Sequence, residues 1–370
     1  GSKNCDRYNI GVLIMRIGRV FTKQVGPLAD GAISFENDWT EEIETKVLLT
    51  GPNGCGKSTL IRGCAMLWVA LGYWLDQRKA LPQKHEAKQW LQRWGGMALI
   101  FDGLEDITGA PDIKVGLIFG SMSWCEQLQA QTPDVYWLGE AVERSGRPGQ
   151  PKRSLYLPKE PWIDEWSQKR KKLILSSEKL AAPNMMYLDA EERRWVTPKR
   201  NIAEPLPDVM SQRWLTKYVV TDDWKGQLEA SLINLKTTQL HKYHEVIRGL
   251  NQFLVGKEID PDIKPGEGRL KVRIKGERGV HHGIDELSAG EHQVLILLFL
   301  MLRWLQPGGV VLIDEPDLYL HPSLVDPLLD VLERTARELD AQLIITSHSV
   351  DIWRRYETSG TRVELQTGRG

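Results

Sequence analysis

The chain has 370 residues, 41% apolar and 26% charged, enough to build one large α/β core or two ordinary ones and too apolar for a disordered chain. Forty-eight Lys and Arg stand against 49 Asp and Glu, a net charge of −1, so any polyanion contact has to come from a local patch. Cys5, Cys55, Cys64 and Cys125 form no C-x-x-C pair, which excludes a zinc or dithiol site of that spacing and fits a reducing cytoplasm.

The expectation is a soluble, cytoplasmic protein: the longest uncharged apolar run, Val294 to Leu302, has nine residues, where a spanning helix needs about 20. Gly1-Ser2 without Met reads as a remnant of expression. Fourteen Trp outnumber nine Tyr and six Phe, an excess that composition does not explain.

In chain order, β-branched and apolar runs at Val12 to Phe21, Gly31 to Phe35 and Lys46 to Thr50 predict short strands. Leu60, Ile61, Cys64, Leu67, Trp68 and Leu71 predict a helix from Thr59 to about Trp74. Further strands are predicted at Ala98 to Phe101, Lys114 to Phe119 and Val135 to Leu138. Residues 141 to 200 are Pro-punctuated and carry 14 basic against 8 acidic residues; this +6 stretch is expected to be an insertion in a body that is −7 elsewhere. Apolar spacing from Asp222 to Phe253 marks one or two amphipathic helices, and Asp260 to Gly268 reads as a linker. A strand at Leu270 to Lys275 is followed by a helix at Ser288 to Leu305, a strand at Val310 to Asp314, a helix at Pro322 to Leu339 and a strand at Gln342 to Thr346. That alternation predicts a parallel sheet with crossovers.

Between the third strand and the first helix, Gly51-Pro52-Asn53-Gly54-Cys55-Gly56-Lys57-Ser58-Thr59 fits G-x-x-x-x-G-K-[ST]. Its glycines let backbone N–H groups wrap a phosphate where a Cβ would obstruct, Lys57 supplies a cation, Ser58 offers a hydroxyl to Mg²⁺, and the helix start adds a positive dipole end. Cys55 reads as a small buried filler. The apolar strand Val310 to Ile313 ends in Asp314-Glu315-Pro316. Strand alternation would turn one carboxylate toward a metal ion and the other toward an attacking water. In Ile344-Ile345-Thr346-Ser347-His348-Ser349, His348 could meet a γ-phosphate or that water, or cap the next helix. Ser288 and Glu291 have capping-box spacing, and Ser288 with Gly290 at a helix start also makes an anion site.

Taken together, GPNGCGKST (51 to 59), ELSAGE (286 to 291), VVLIDEPDLYLHP (310 to 322) and ITSHS (345 to 349) resemble the Walker A, signature, Walker B and His-switch motifs of ABC-type ATPases. The form is similar to the SMC, RecF and OLD-like branch rather than to transporter subunits. The resemblance implies an α/β P-loop NTPase fold: a mixed N-terminal β lobe, a parallel-sheet core and a mainly helical insertion. Residues 3–140 would form the first half of the head, 141–265 the insertion and 266–370 the second half.

For the site, the resemblance implies that Gly51, Asn53, Gly54, Cys55, Gly56, Lys57, Ser58 and Thr59 hold ATP and that Ser58 and Asp314 hold Mg²⁺. It further makes Glu315 the general base and His348 the γ-phosphate sensor, so that the catalytic set is Glu315, His348 and Lys57. Ser288 and Gly290 would contact ATP on a second copy, making a homodimer. A glutamine loop is expected, with Gln83, Gln89, Gln127 and Gln129 competing for it.

Two departures matter. About 230 residues separate Lys57 from Ser288 without sustained heptads, and 22 residues follow His348, where OLD proteins carry a nuclease domain. Such compact ATPases resemble those of bacterial anti-phage systems, paired with a separate effector, often a nuclease. The expectation is therefore a nucleotide-switched dimer controlling an effector or DNA, the DNA held by the basic 141–200 segment through Arg193, Arg194, Lys199 and Arg200 with Trp162, Trp166 and Trp195 interleaved. The alternatives are a RecF-like repair ATPase, a transporter ATPase subunit, and an ATP-binding scaffold with negligible turnover.

Overall fold

The computed structural model describes residues 14–110, 112–143, 152–175, 182–190, 213–217, 224–254, 256–262, 270–279 and 281–368. Strands β1 (Arg16–Lys23) and β2 (Gly31–Ser34) pair antiparallel, and β3 (Lys46–Thr50) runs through the glycine turn into α1 (Lys57–Gln77). Next come α2 (Glu86–Leu91), β4 (Gly96–Asp102), the single turn α3 (Glu105–Thr108), β5 (Lys114–Ser121), α4 (Met122–Gln131), β6 (Val135–Glu143) and β7 (Lys152–Tyr156). They are followed by α5 (Pro161–Leu175), β8 (Met185–Leu188), β9 (Leu215–Lys217), α6 (Trp224–Thr238), α7 (Leu240–Asn251), β10 (Lys257–Ile259), β11 (Val272–Ile274) and β12 (His281–His282). The last part holds α8 (Ala289–Trp304), β13 (Val310–Ile313), α9 (Pro322–Glu338), β14 (Gln342–Thr346), α10 (Val350–Ser359) and β15 (Thr361–Glu364).

Two six-stranded sheets organise these elements. One has the order β2-β1-β4-β5-β6-β7 and is antiparallel except where β5 and β6 run parallel. The other, β15-β3-β14-β13-β8-β9, is parallel throughout. A parallel sheet needs cover on both faces, and the strands show it residue by residue. Val47, Leu49, Met185, Leu312 and Ile344 join one core with α1, whereas Leu48, Met186, Val311, Ile313 and Leu343 join a second with α6 to α9. The fold is that of an α/β P-loop NTPase with a mixed β lobe and a parallel core.

Helix α1 packs against strands of both sheets, and 14 of its 21 residues are buried. Among the described residues it alone is long and apolar enough to cross a membrane; that composition follows from its place between two sheets. At its middle, Trp68 stacks on Trp214 with centroids 4.1 Å apart and planes at 8°. Each indole N–H donates to the other residue's backbone carbonyl at 2.8 Å, so both polar groups are satisfied in an otherwise apolar interior. Arg170 of α5 lies over the Trp214 ring and pairs with Asp76 of α1 at 3.1 Å. Gly72 makes room: a Cβ there would stand 2.9 Å from the Arg170 guanidinium carbon and 3.1 Å from Trp214 Nε1. Trp74, Trp90, Trp162 and Trp166 belong to the same core, which accounts for much of the tryptophan excess.

This arrangement corrects the expected insertion. A boundary at residue 141 falls inside β6, β7 extends the first sheet, and β8 and β9 complete the parallel one. Basic composition and Pro spacing report the solvent face of this stretch, whereas its buried residues, such as Met185 to Leu188, are contributed in runs too short to show a period. Trp162 and Trp166 are 5% and 1% exposed, so they build core and do not stack on nucleic acid. Arg193, Arg194, Trp195, Lys199 and Arg200 lie outside the described residues. Of the helical region expected from Asp222 to Phe253, the described residues form two helices, α6 and α7, parted at Gln239.

Trp214→Ala should cost about 3–5 kcal/mol, because it leaves a ring-sized cavity and orphans the Trp68 indole N–H. Urea unfolding followed by far-UV circular dichroism measures this; a loss under about 1 kcal/mol would show that the stack is not a keystone.

Candidate functional site

Strands β3, β14 and β13 are neighbours and parallel, so their carboxyl ends lie on one edge of the sheet, where open α/β sheets hold ligands. That edge gathers Gly51 to Thr59 after β3, Ser347 and His348 after β14, and Asp314 and Glu315 after β13.

In the first loop, Gly54 and Gly56 adopt φ of 74° and 98°, which favour glycine. Gly56 is the N-cap of α1 and brings no side-chain acceptor, so the first-turn N–H groups have no cap from it. A Cβ on Gly54 would meet nothing within 4 Å, whereas one on Gly56 would reach Leu28 Cγ at 2.7 Å. The loop is thus packed beneath and open above. Asn53, Gly54 and Ser58 are exposed, Thr59 is half-buried, and Cys55 is 1% exposed, the small filler expected. Lys57 is 6% exposed and its ammonium donates to the Gly51 carbonyl at 2.8 Å, so its charge spans the loop where a phosphate would sit. Left-handed glycines, a buried ammonium and an uncapped helix start together fit a polyphosphate.

At the acidic strand end, Asp314 is 3% exposed and its N–H still bonds to Leu188 O of β8 at 2.9 Å. Thr346, fully buried on the neighbouring strand, donates from Oγ1 to Asp314 Oδ1 at 2.5 Å and accepts from the Glu315 N–H at 3.0 Å. Glu315 has φ of 49°, the left-handed region where a residue with a Cβ is strained. Pleat alternation therefore does not aim Glu315; a left-handed turn held by the Thr346 hydroxyl does. Its Oε1 lies 3.0 Å from His348 Nε2. The helix-capping alternative for His348 is not realised, since Ser349 is the N-cap of α10 and accepts from Ile352 N. Ser347 donates to Asp317 at 3.0 Å and accepts from Trp353 through its carbonyl at 3.1 Å. Thr346 and Asp317 were visible in the motif strings, but nothing in their spacing disclosed these bonds.

Among the described residues no three His, Cys, Asp or Glu side chains are grouped to hold a metal. Asp314 and Ser58 suit Mg²⁺ as partial ligands, since that ion takes one or two protein oxygens and completes its shell with substrate phosphate and water.

Ser288 forms the capping box of α8. Its Oγ accepts from Glu291 N at 3.1 Å, and its own N–H donates to Glu291 Oε1 at 3.0 Å. A Cβ on Gly290 would stand 3.2 Å from Leu320 and 3.5 Å from Tyr319 O. The contacts of Ser288 and Gly290 thus run to Glu291 and the loop after Asp314-Glu315, in which Tyr319 is 63% exposed. Lys257 of β10, absent from the sequence reading, donates to Glu291 Oε1 at 2.9 Å. Burial pushes the Glu291 carboxyl up, but the hydrogen bonds from Lys257 and the Ser288 N–H outweigh it and hold the group below its ordinary value.

A family described as "AAA domain, putative AbiEii toxin, Type IV TA system" matches residues 225–352. "Probable ABC transporter ATP-binding protein p29" of Mesomycoplasma hyorhinis is 25% identical over 150 residues, 37% of this chain and 57% of that protein. "Retron Ec83 probable ATPase" of Escherichia coli is 33% identical over 105 residues, 24% of this chain and 19% of that protein. The matches therefore span little more than half of one relative and about a fifth of the other. An SMC head bound to the C-terminal winged-helix domain of ScpA superposes with a TM-score of 0.47 at 13% identity, covering 90% of both chains.

Two outcomes are expected here. Thr346→Val removes one hydroxyl that serves both Asp314 and Glu315 and should lower the unfolding free energy by about 1–3 kcal/mol, read by urea denaturation. A carboxyl held below its unfolded value contributes stability above that value and loses it as pH falls through the folded one. Lys257→Met should therefore lower the melting temperature at pH 7 relative to wild type. The gap should close below about pH 4, and a gap independent of pH would sink the assignment.

Proposed function

We propose that this chain, an ABC-type and SMC-like ATPase head by its motifs and fold, binds ATP in the loop Gly51 to Thr59 and hydrolyses it between two copies of itself. The observation that carries the reading is the 3.0 Å contact of Glu315 with His348 beside buried Asp314, on the sheet edge that also carries Lys57. Lys57 neutralises phosphate charge, and the loop N–H groups and α1 start orient the chain of phosphates. Ser58 and Asp314 would hold Mg²⁺, which when bound supplies further charge neutralisation on the phosphate oxygens.

Glu315, half-buried and turned out by its left-handed backbone, takes the proton of the attacking water. His348, within hydrogen-bond reach of Glu315, orients that carboxylate and can donate to the phosphoryl group. The arrangement is incomplete in one copy: Ser288 and Gly290, at the exposed start of α8, would close over ATP bound to the other. Closing and opening then moves Tyr319 and its loop at the interface, and that movement would control a separate effector. The retron ATPase relative supports placing the switch in anti-phage defence. The relative named for an ABC transporter supports a second reading, a coupling subunit for a membrane protein; co-purification with a membrane subunit would favour it.

Glu315→Gln should lower ATP turnover by at least about 100-fold while ATP still binds, and Lys57→Ala should abolish binding. Phosphate release and equilibrium dialysis measure the two; unchanged turnover in Glu315→Gln removes Glu315 as the base. Ser288→Arg should leave single copies able to bind ATP and stop ATP-dependent dimerisation in light scattering.

A further inference from the structure

We propose that the antiparallel lobe holds a second anion site, at the start of α4, that takes a phosphate-bearing small molecule of mononucleotide size. Among the described strands, β5 and β6 form the single parallel pair of their sheet, and α4 connects them. The lobe therefore contains a strand-helix-strand unit of its own, with the carboxyl end of β5 meeting the first turn of α4. Ser121 is the N-cap, makes no side-chain bond into the helix, and no acidic residue follows in the first turn.

A cavity of about 600 Å³ opens there, the volume of small-ligand pockets. Its walls include Lys88, Arg93, Trp94, Ser121, Ser123 and Arg153, and Glu143 is its one carboxylate. Three cations stand against Glu143 in the wall and buried Glu140 behind Lys88, a net positive charge. Lys88 is 2% exposed, and among the described residues its ammonium has a single hydrogen bond, to Leu81 O at 3.2 Å, and no carboxylate at ion-pair distance. Two of its N–H donors have no partner among the described residues, in a buried place where an unmet donor is costly. Burial and the nearby Arg153 charge both push its pKa down, against Glu140. Arg93 and Arg153 are exposed and form no ion pair among the described residues. The Trp94 indole N–H, also in the wall, is buried without a partner. An anion with several oxygens would meet all of these donors at once. A walled cavity of this size suits a small molecule better than a nucleic-acid strand, which needs an open groove. The site lies on the other sheet from Lys57, so it does not depend on the hydrolytic reading.

The test uses the full chain carrying Lys57→Ala, titrated calorimetrically with inorganic pyrophosphate and with AMP at fixed ionic strength. One equivalent of either should bind, and Arg93→Ala with Arg153→Ala in the same chain should weaken it at least about tenfold. Both arginines are exposed, so far-UV circular dichroism should not change. Read without the Lys57 substitution, wild type should take two equivalents of pyrophosphate and the double arginine variant one. Tighter AMP than pyrophosphate identifies a nucleotide as the ligand, and pyrophosphate alone identifies an inorganic or simple phosphate. Absence of binding by both probes at millimolar concentration, or affinity unchanged in the arginine variant, overturns the proposal. So does a short single-stranded oligonucleotide that needs Arg93 and Arg153 when neither small probe binds.

Discussion

The burial of α1 between two sheets is the constraint on which the molecule depends. A helix whose first residue is the loop lysine and whose body is enclosed cannot shift without moving both sheets. Its position is set by interlocked aromatic groups rather than by apolar contact alone. The reciprocal Trp68–Trp214 hydrogen bonds offset the desolvation of two buried indoles, and the Arg170–Asp76 pair ties α5 to the same helix about two turns further on. The glycine loop sits at the mouth of this rigid helix, about three turns from the Trp68 stack that fixes it.

A second constraint acts at the sheet edge. Because β14 lies between β3 and β13, Thr346 stands beside Asp314 and Glu315 and can bond to both with one hydroxyl. That bond holds Glu315 in a backbone conformation that a side chain disfavours, and the resulting turn brings its carboxylate to His348. The strain is local, and the buried strands on either side support it.

The signature region obeys the same logic at lower density. The Ser288 and Glu291 box is an ordinary helix cap, yet Lys257 links it to the small sheet β10-β11-β12. That small sheet is thereby tied to the first turn of α8. The cap itself uses the Ser288 and Glu291 N–H groups.

Much of the site was legible in the primary structure because its chemistry requires fixed residue types at short spacing. Glycines must occupy left-handed positions, a lysine must follow them, and an apolar strand must end in two carboxylates. The strands and helices flanking these motifs were legible for the same local reason, the period of their apolar residues. What could not be read is what depends on long-range neighbours. Residues 141–200 read as a basic insertion, yet β7, β8 and α5 within that stretch extend both sheets and cover α1, because charge pattern records the exposed face and not the buried one. Lys257, Thr346 and Trp214 act through partners 34, 32 and 146 residues away, and no local spacing encodes such contacts. The sequence by itself determined the glycine-lysine loop, the acidic strand end and the α/β class; only the tertiary structure decided which distant side chains hold them in place, since packing chooses partners in space and not along the chain.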